Sequence, residues 1–551
     1  MLKSYTYPKF AYQKPPELAG AKPKHYPVVI VGAGPVGLAA ALDCHVHGIP
    51  AIILDEDETV SIGSRGLAYA KRALEILDRY GVGDAVVNKG VTWNVGRTFF
   101  GEGEVFNFNL QPEPDHKRPG MVNLQQYYLE DFMVAECDRR NIEIRWKNKV
   151  VAVEPTADGV SLQVQTPDGV YAIQTDWLIV CDGARSPIRT MMGLDMEGKI
   201  FMDRFLIADV VMKAEFPPER WFWFDPPFHR NQSVLLHREA DDVWRIDFQL
   251  GWNADPEEEK KPERVIPRIQ AMLGAQHEFE LEWVSVYTFQ CRRMGRFNHG
   301  RVLFAGDSAH QVSPFGGRGA NSGIQDADNL VWKLKLVMDG LAPARLFDTY
   351  SDERVFAADE NILNSTRSTD FITPKTNTSR TFRNAVLQLA QKHAFARKLV
   401  NSGRLSVPAF YSASSLNTPP EDSYAGFMEP GAPMEDAPVT VEGKAGWLLD
   451  QVGNRFQLLV YSEDPATLDV TVLRNLMDAG IPVEPIVVSP KAGEIAGVRL
   501  LQDIKGLVAR RYDARDGTVF LLRPDQHIAG RWRSVDIEKV RAAVARATCN
   551  A

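Results

Sequence analysis

Apolar residues near the start of the chain form short continuous runs. Residues 27–31 and Ala51–Leu54 are apolar and rich in β-branched side chains, and residues 37–47 between them have a helical composition. Short runs of this kind are typical of strands that are buried on both faces. The order strand, helix, strand predicts a βαβ unit in which the two strands pair in parallel.

Further along the chain the pattern changes to alternation of apolar and polar residues. This pattern covers residues 205–212, 233–237, 243–250 and 281–289. Alternation indicates half-buried antiparallel strands, so we expect a second sheet here. Buried runs of the first kind occur on either side, at residues 177–181 and 301–305. The second sheet is therefore expected as an insertion into the first domain. Helices are expected at residues 65–89, 123–139 and within 323–400.

Composition and charge exclude several classes of protein. The 551 residues include 63 basic and 71 acidic side chains, a net charge of -8, with no basic block, so we expect no nucleic-acid partner. The longest apolar run, residues 28–42, is interrupted by glycine and proline and is too short for a membrane span. The five cysteines lie far apart without metal-ligand spacing, which predicts a reduced, cytoplasmic protein without a metal site.

A glycine-rich loop follows the first buried strand and opens the first helix. Its residues are Gly32, Ala33, Gly34, Pro35, Val36 and Gly37. In such a loop the first glycine permits a tight turn, the second lets the backbone approach a pyrophosphate, and the third lets helix and strand pack closely. The N-terminus of the helix then presents free N–H groups to the phosphates. The loop therefore predicts a bound dinucleotide.

An acidic residue ends the second strand. Asp55 follows Gly32 by 23 positions, close to the spacing of about 20 at which an acid binds the ribose hydroxyls. Glu56 is the nearest rival for this role. The alternative is an ordinary glycine-rich turn with Asp55 at a solvated strand end. The loop by itself does not distinguish NAD from FAD.

Two later segments resemble a known family. Residues 181–189 read Cys-Asp-Gly-Ala-Arg-Ser-Pro-Ile-Arg, and residues 306–327 contain Gly-Asp-Ser-Ala-His followed by Pro-Phe-Gly-Gly-Arg-Gly-Ala-Asn-Ser-Gly. They resemble the "DG" and "GD" motifs of the single-component FAD-dependent aromatic hydroxylases, the para-hydroxybenzoate hydroxylase-like family. Three motifs in the family's order make the match specific.

The resemblance implies a set of cofactor residues. Asp307 is expected to bind the ribityl chain of FAD, and Asp182 and Arg185 to serve both FAD and the nicotinamide co-substrate. Arg65 and Gln126 match positions that contact FAD in the family, although a surface arginine and a polar helix face would also explain them. The remaining cofactor residues expected in these loops are Gly183, Gly306, Pro314, Gly317, Gly319, Ala320 and Asn321.

The resemblance also implies the reaction. NADH or NADPH reduces FAD, the reduced flavin takes up O2, and a C4a-hydroperoxide transfers a hydroxyl group to an electron-rich ring. A phenol must lose its proton during this reaction, and His237 or Tyr287 is a candidate to accept or relay that proton. His310, directly after the GD motif, is expected to position the loop.

Two cations suggest the kind of phenol. We expect a hydroxyphenyl-alkanoate, a hydroxybenzoate or a substituted phenol or catechol, because Arg245 or Arg318 in the pocket would pair with an acidic group. Arg245 is thus the third catalytic candidate besides His237 and Tyr287. A structural pair of Arg245 with Asp247 is the alternative explanation.

The end of the chain resembles a specific branch of the family. Residues 511–532 are similar to the C-terminal thioredoxin-like domain of phenol hydroxylase and 3-(3-hydroxyphenyl)propionate hydroxylase. Residues 440–548 contain no cysteine, so this domain is expected to be structural or to form a homodimer contact, without redox activity.

These observations predict an α/β protein with a Rossmann-like FAD-binding domain, an inserted antiparallel-sheet substrate domain and a C-terminal thioredoxin-like domain. The expected segments are a leader (1–26), the FAD-binding domain (27–202 and 296–407), the substrate sheet (203–295), a linker (408–439) and the tail domain (440–551). Alternatives are a flavin-dependent oxidase, reductase or halogenase on the same scaffold, an NAD-linked dehydrogenase, or a binding protein without catalytic activity.

Overall fold

A computed structural model describes residues 4–20, 22–214, 216–274, 276–400, 405–478 and 480–551. Within these residues the strands form two eight-stranded sheets, one seven-stranded sheet and one three-stranded sheet. Four residues of the predicted leader, 1–3 and 21, and residues 401–404 of the second FAD-binding segment lie outside this description.

The first sheet contains the predicted βαβ unit. Lys24–Val31 pairs in parallel with Ala51–Leu54, which confirms that unit, and the helix between them is Pro35–Val46. Lys24–Val31 also pairs in parallel with Gly169–Val180, which in turn pairs in parallel with Val302–Phe304. The other strands of this sheet are Glu143–Arg145, Lys149–Pro155, Val160–Thr166 and Asn298–His299. Glu143–Arg145 pairs in parallel with Ala51–Leu54, so five strands run in parallel and the loops after their carboxyl ends meet at one edge.

The second sheet is antiparallel for most of its width. In spatial order its strands are His310–Gln311, Glu280–Arg293, Glu197–Val211, Val243–Leu250, Ser233–Arg238, Arg220–Phe224, Val95–Phe100 and Gly103–Asn109. The first strand and the last two come from outside the predicted range of 203–295, and the last two join the sheet because Val95–Phe100 pairs in parallel with Arg220–Phe224 across a long sequence separation. One face of the sheet packs on the helix Pro262–Leu273, with the short helix Pro256–Glu259 before it.

A small three-stranded sheet and four helices complete the first domain. Its strands are Ala68–Ala70, Val91–Trp93 and Met121–Asn123. The helix expected over residues 65–89 begins only at Lys71, because residues 68–70 pair with Met121–Asn123 as a strand. The helices here are Lys71–Tyr80, Gly83–Lys89, Gln126–Arg139 and the short Pro187–Met191.

The predicted helical region and linker are both packed against the body. The helices are Gly319–Met338, Leu346–Ile372, Asn377–Ala390 and Ala394–Arg397. Tyr411, Leu416 and Met434, inside the predicted linker, are buried. Near the start of the chain Tyr5 stacks on Tyr127 and Phe10 stacks on Trp146. The predicted linker and the predicted leader therefore both contribute aromatic and apolar contacts to the core.

The tail forms the seven-stranded sheet. Its spatial order is Lys444–Trp447, Pro438–Val441, Arg499–Gln502, Val483–Ser489, Phe456–Tyr461, Val519–Leu522 and Ile528–Trp532. The tail helices are Val470–Arg474, Leu507–Tyr512 and Ile537–Ala547. Arg72 donates to Asp525 O at 2.7 Å, and Arg523 donates to Glu353 Oε1 at 2.6 Å, so the tail is docked on the main body through buried polar contacts.

In the part of the chain that the structure describes, every helix is too short or too polar to cross a membrane.

Candidate active site

The glycine-rich loop lies at the carboxyl edge of the first sheet, where Gly32 N donates to Leu54 O at 2.9 Å. A Cβ atom on Gly37 would lie 1.9 Å from Gly32 O, so a side chain there has no room. A Cβ atom on Gly34 would meet no atom within 4 Å. The loop is thus packed tightly against the protein on one side and open on the other.

The open side fits the pyrophosphate of a dinucleotide. Gly34 is the N-cap of the helix Pro35–Val46, and no side chain caps that helix. The N–H groups of the first turn and the positive end of the helix dipole therefore remain for an anion. Val36, the second residue of the helix, packs against Gly306 of the GD motif, since a Cβ on Gly306 would lie 2.8 Å from Val36 Cγ2.

Asp55 stands beside this loop and Glu56 does not. Asp55 accepts hydrogen bonds from Ala33 N at 2.5 Å and Asp57 N at 2.8 Å. Burial raises the pKa of the Asp55 carboxyl to about 6. Glu56 instead forms an ion pair with Lys149 at 2.7 Å. This arrangement favours Asp55 as the residue that faces a ribose.

The DG and GD motifs are joined by an arginine that sequence reasoning did not select. Arg189 donates to Ser308 O at 2.7 Å and to Ala184 O at 3.1 Å. Its place at the end of the DG motif was the available signal. Asp182 accepts from Ile188 N at 3.1 Å and so shapes the turn. Gly183 and Arg185 are on the outer side of this turn, and Arg185 is exposed.

Asp307 is an exposed residue whose carboxylate lies near the first turn of a helix. A Cβ on Gly319, the first residue of the helix Gly319–Met338, would lie 3.9 Å from Asp307 Oδ1. The carboxylate is open to solvent, so it is free to accept hydrogen bonds from the hydroxyl groups of a bound ligand. This geometry fits the expected contact with the ribityl chain.

His310 supports the GD loop from behind. His310 Nε2 lies 2.6 Å from Asp326 Oδ2, and Asp326 also accepts from Gly306 N at 2.8 Å and Arg354 Nε at 2.5 Å. Burial alone would raise the pKa of Asp326, but His310 and Arg354 hold it below its usual range. The contacts agree with the expected positioning role of His310.

The second glycine loop, which carries Pro314, Gly317, Gly319 and Ala320, is fixed by Asn321. Asn321 donates to Ala68 O at 2.7 Å and Gly317 O at 2.5 Å, and accepts from Ala70 N at 2.8 Å. Asn321 therefore ties this loop to the small sheet. Arg318 donates to Asn361 Oδ1 at 3.1 Å and is buried.

Gln126 and Arg65 belong to one loop contact. Gln126 accepts from Gly66 N at 2.8 Å and donates to Glu130 Oε1 at 2.7 Å. It therefore holds the segment that carries Arg65, whose own side chain is exposed. Holding this loop is the role that the contacts show for Gln126.

Arg245 lies in a cluster of buried carboxyl groups. Its Nε is 3.3 Å from Asp209, 3.7 Å from Asp247 and 3.9 Å from Glu239, and its guanidinium also donates to Ser64 O. Burial raises the pKa of Asp209 and of Asp247 to about 6, and raises that of Glu239 well above its usual range. The suggested pairing of Arg245 with Asp247 is thus part of a larger cluster.

His237 is Arg245's cross-strand neighbour, whereas Tyr287 lies elsewhere. His237 is buried, its Nδ1 is 3.4 Å from Asn123 Nδ2, and burial together with Arg220 and Arg245 lowers its pKa well below the usual value. Tyr287 is 40% exposed, and burial of part of its ring and the charge of Asp307 raise the pKa of its phenol. His237 and Arg245 are therefore neighbours, and Tyr287, on which the charges of Asp307 and Arg245 both act, lies towards the cofactor loops.

A cavity lined by aromatic side chains lies between the second sheet and the second glycine loop. Its lining residues are Thr98, Arg220, Phe222, Phe224, Phe315, Ser368, Ile372, Val400 and Leu405. Phe315 comes from the second glycine loop, and Phe222 and Phe224 come from the second sheet. Sequence reasoning did not select Arg220, whose burial depends on the parallel pairing with Val95–Phe100.

Comparison with known proteins gives relatives over nearly the whole chain. Two are named 3-(3-hydroxy-phenyl)propionate/3-hydroxycinnamic acid hydroxylase. The one from Mycolicibacterium smegmatis is 27% identical over 91% of this chain and 90% of its own length. The one from Escherichia coli O157:H7 is 26% identical over 93% of both chains.

Solved structures show the same fold. The flavin-dependent monooxygenase PieE, in complex with FAD and substrate, covers 96% of this chain with a TM-score of 0.82 at 22% identity. The p-nitrophenol 4-monooxygenase PnpA from Pseudomonas putida covers 70% with a TM-score of 0.61 at 25% identity. In both cases the match spans 100% of the other chain.

Two families match the chain, the FAD binding domain over residues 25–365 and the HcaD C-terminal domain over residues 436–547. The first covers the glycine loop, the DG and GD motifs and the second sheet. These matches confirm the predictions of FAD as cofactor and of a flavin-dependent monooxygenase. The chain belongs to the FAD binding domain family.

Proposed function

We propose that this enzyme hydroxylates a phenol that bears a carboxylate side chain, such as 3-(3-hydroxyphenyl)propionate or 3-hydroxycinnamate. The observation that carries the proposal is the aromatic cavity between the second sheet and the second glycine loop. A buried cation, Arg220, lies in the wall of this cavity. The names of relatives that align over about nine tenths of both chains support the same substrate class.

The chain's own residues would hold FAD at the carboxyl edge of the first sheet. The loop from Gly32 to Gly37 would bind the pyrophosphate, Asp55 the ribose and Asp307 the ribityl hydroxyls. FAD, reduced by NADH or NADPH, supplies the activated oxygen. The protein's part is to orient the ring, to exclude water and to move the phenol proton.

His237 is our candidate for relaying the phenol proton. Burial and the charges of Arg220 and Arg245 lower its pKa well below the usual value, so a lasting imidazolium is disfavoured, and a relay in which one ring nitrogen gives up a proton as the other accepts one fits this site better. The cavity-lining Arg220 is one of the charges that lower this pKa, so His237 is close to the substrate's side of the sheet. Tyr287, next to the cofactor loops, is the less suitable candidate.

The test is a coupled measurement on FAD-loaded protein. We expect 3-(3-hydroxyphenyl)propionate to accelerate NADH or NADPH oxidation, with one hydroxylated product formed per O2 consumed. 3-Phenylpropionate, which lacks the phenol, serves as the control and should give no hydroxylated product. Accelerated oxidation that yields only hydrogen peroxide with every phenol tested would contradict the proposal and favour an oxidase.

We also propose that the tail domain has a thioredoxin-like core. Phe456–Tyr461 and Val483–Ser489 are parallel strands joined through the helix Val470–Arg474, and Val519–Leu522 and Ile528–Trp532 form an antiparallel hairpin before the helix Ile537–Ala547. This order of elements supports the assignment. A variant truncated after residue 435, which lacks the tail domain, should be less stable than the full chain. The full chain should show no disulfide exchange activity.

A further inference from the structure

Arg220 is a buried cation in the wall of the aromatic cavity. It is the first residue of the strand Arg220–Phe224, its side chain is 7% exposed, and it lines the cavity with Phe222, Phe224 and Phe315. Its guanidinium carbon lies 5.4 Å from the centre of the Phe222 ring.

No described residue neutralises this guanidinium directly. Among the residues that the structure describes, Arg220 donates no side-chain hydrogen bond and has no carboxylate oxygen within 4.0 Å. The negative charge of Asp247 acts on it only from a greater distance. Burial lowers the pKa of Arg220 to about 10, so it still carries its charge at neutral pH. Burying a charge without a partner costs free energy, which indicates that a bound ligand supplies the missing partner of Arg220.

The other cations expected near the substrate are already engaged. Arg245 contacts three carboxyl groups, and Arg318 donates to Asn361. Arg383 is a third comparison: it lies 5.6 Å from the other aromatic wall residue, Phe224, but donates to Ile372 O and to Asn384. Arg220 differs from all three because its donors remain for a ligand.

We infer that Arg220 binds the carboxylate of the substrate while the aromatic wall holds its ring. This inference rests on the proposed function. The guanidinium presents a planar fork of N–H donors that matches a carboxylate in two parallel hydrogen bonds. Because Arg220 is largely buried, such a contact is strong and selects acids over neutral analogues of the same shape. Arg220, in place of the expected Arg245, would then determine substrate specificity.

The test is calorimetric titration of FAD-loaded protein with 3-phenylpropionate and with its neutral analogue 3-phenylpropan-1-ol. We expect Arg220→Met to weaken binding of the acid by about 10- to 100-fold, as for loss of a charge-assisted hydrogen bond. Binding of the alcohol should change by less than about 3-fold. Arg220→Lys, which keeps the charge but not the fork, should give an intermediate loss.

The matched control is Arg383→Met, which removes a buried arginine from behind the same aromatic wall. It should leave both affinities within about 3-fold of those of the unchanged protein. Equal losses for acid and alcohol in Arg220→Met, or the acid-specific loss in Arg383→Met, would overturn the inference. So would an unchanged protein that does not bind 3-phenylpropionate. FAD content and circular dichroism verify folding, and Arg220→Lys decides the question if Arg220→Met does not fold.

Binding and turnover separate this inference from the proposed function. If the acid-specific loss is found but no phenol is hydroxylated, Arg220 binds a carboxylate and the proposed reaction is wrong. If 3-(3-hydroxyphenyl)propionate is hydroxylated but Arg220→Met leaves its KM unchanged, the reaction stands and the role of Arg220 is wrong. A role in ground-state binding predicts that KM rises more than kcat falls.

Discussion

Two buried charge clusters in this molecule differ in their balance between acids and bases. The docking cluster, where the tail meets the main body, consists of Glu353, Asp525, Arg523 and Lys333. Arg523 lies 2.6 Å from Glu353 and 2.5 Å from Asp525, and Lys333 is 3.0 Å from Glu353. Burial alone would raise the pKa of Glu353, but Arg523 and Lys333 hold it well below its usual range.

The sheet cluster, beside the expected flavin site, consists of Arg245, Asp209, Glu239 and Asp247. Three carboxyl groups share one contacting arginine here, and burial raises the pKa of all three. Arg245 and Glu239 also bond to Ser64, in the loop that carries Arg65. The comparison teaches that balanced buried charge joins the tail to the main body, whereas an excess of carboxyl groups raises the pKa of each of them next to the cofactor loops.

The largest effect should come from breaking the docking cluster. Glu353→Ala leaves Arg523 and Lys333 buried without their shared partner, and we expect it to lower the free energy of unfolding by about 3–5 kcal/mol. Urea denaturation followed by circular dichroism measures this change. The control is Asp359→Ala on the same helix, which removes the exposed pair with Arg293 and should cost about 0–1 kcal/mol. Equal losses of unfolding free energy in the two variants would mean that Glu353 does not compensate the buried charges of Arg523 and Lys333.

The two clusters should respond to pH in opposite directions. The folded-state pKa of Asp247 is about 6, above its unfolded value of about 3.9. Its stabilising contribution is therefore complete below pH 4 and is lost as pH rises through 6, by up to about 3 kcal/mol. Glu353 has a lowered folded-state pKa, so its contribution is present above its unfolded pKa and is lost as pH falls.

Asp247→Asn tests the sign of this effect. The variant cannot titrate at this position, so its unfolding free energy should fall less between pH 4 and 7 than that of the unchanged protein. Glu353→Gln should flatten the acid side of the profile instead. Denaturation at a series of pH values gives both curves, with Asp359→Asn as the reference. Parallel curves for Asp247→Asn and the unchanged protein would show that Asp247 does not hold its proton in the folded state.

The contrast between the clusters also marks how far sequence reasoning reaches. Gly34, Gly37 and Asp55 were predicted because their spacing along one βαβ unit fixes their geometry. Arg245 and Asp247 were noted as neighbours because residues two apart on a strand share a face. Asp209 and Glu239 join them only through strand register, which no local pattern reveals.

Long sequence separations hide the remaining residues. Glu353 and Arg523 are 170 positions apart, and their pairing follows from how the tail docks. Arg220 is informative because it is buried without a direct partner, and burial of that kind is a property of the assembled cavity. Local spacing is thus enough to predict residues for the cofactor site, whereas a prediction for the substrate side needs the fold.

The smallest effect should come from a carboxylate outside both clusters. Asp307 is exposed beside the first residue of the helix Gly319–Met338, so its removal leaves no buried charge without a partner. We expect Asp307→Ala to leave the unfolding free energy of the protein without FAD within about 0.5 kcal/mol. It should raise the Kd for FAD by about 10-fold, because the ribityl hydroxyls lose a charged acceptor. Asp307→Asn keeps an acceptor oxygen and should weaken binding less. Flavin fluorescence titration of apoprotein measures each Kd, and lost stability with an unchanged Kd would assign Asp307 to the fold and not to the cofactor.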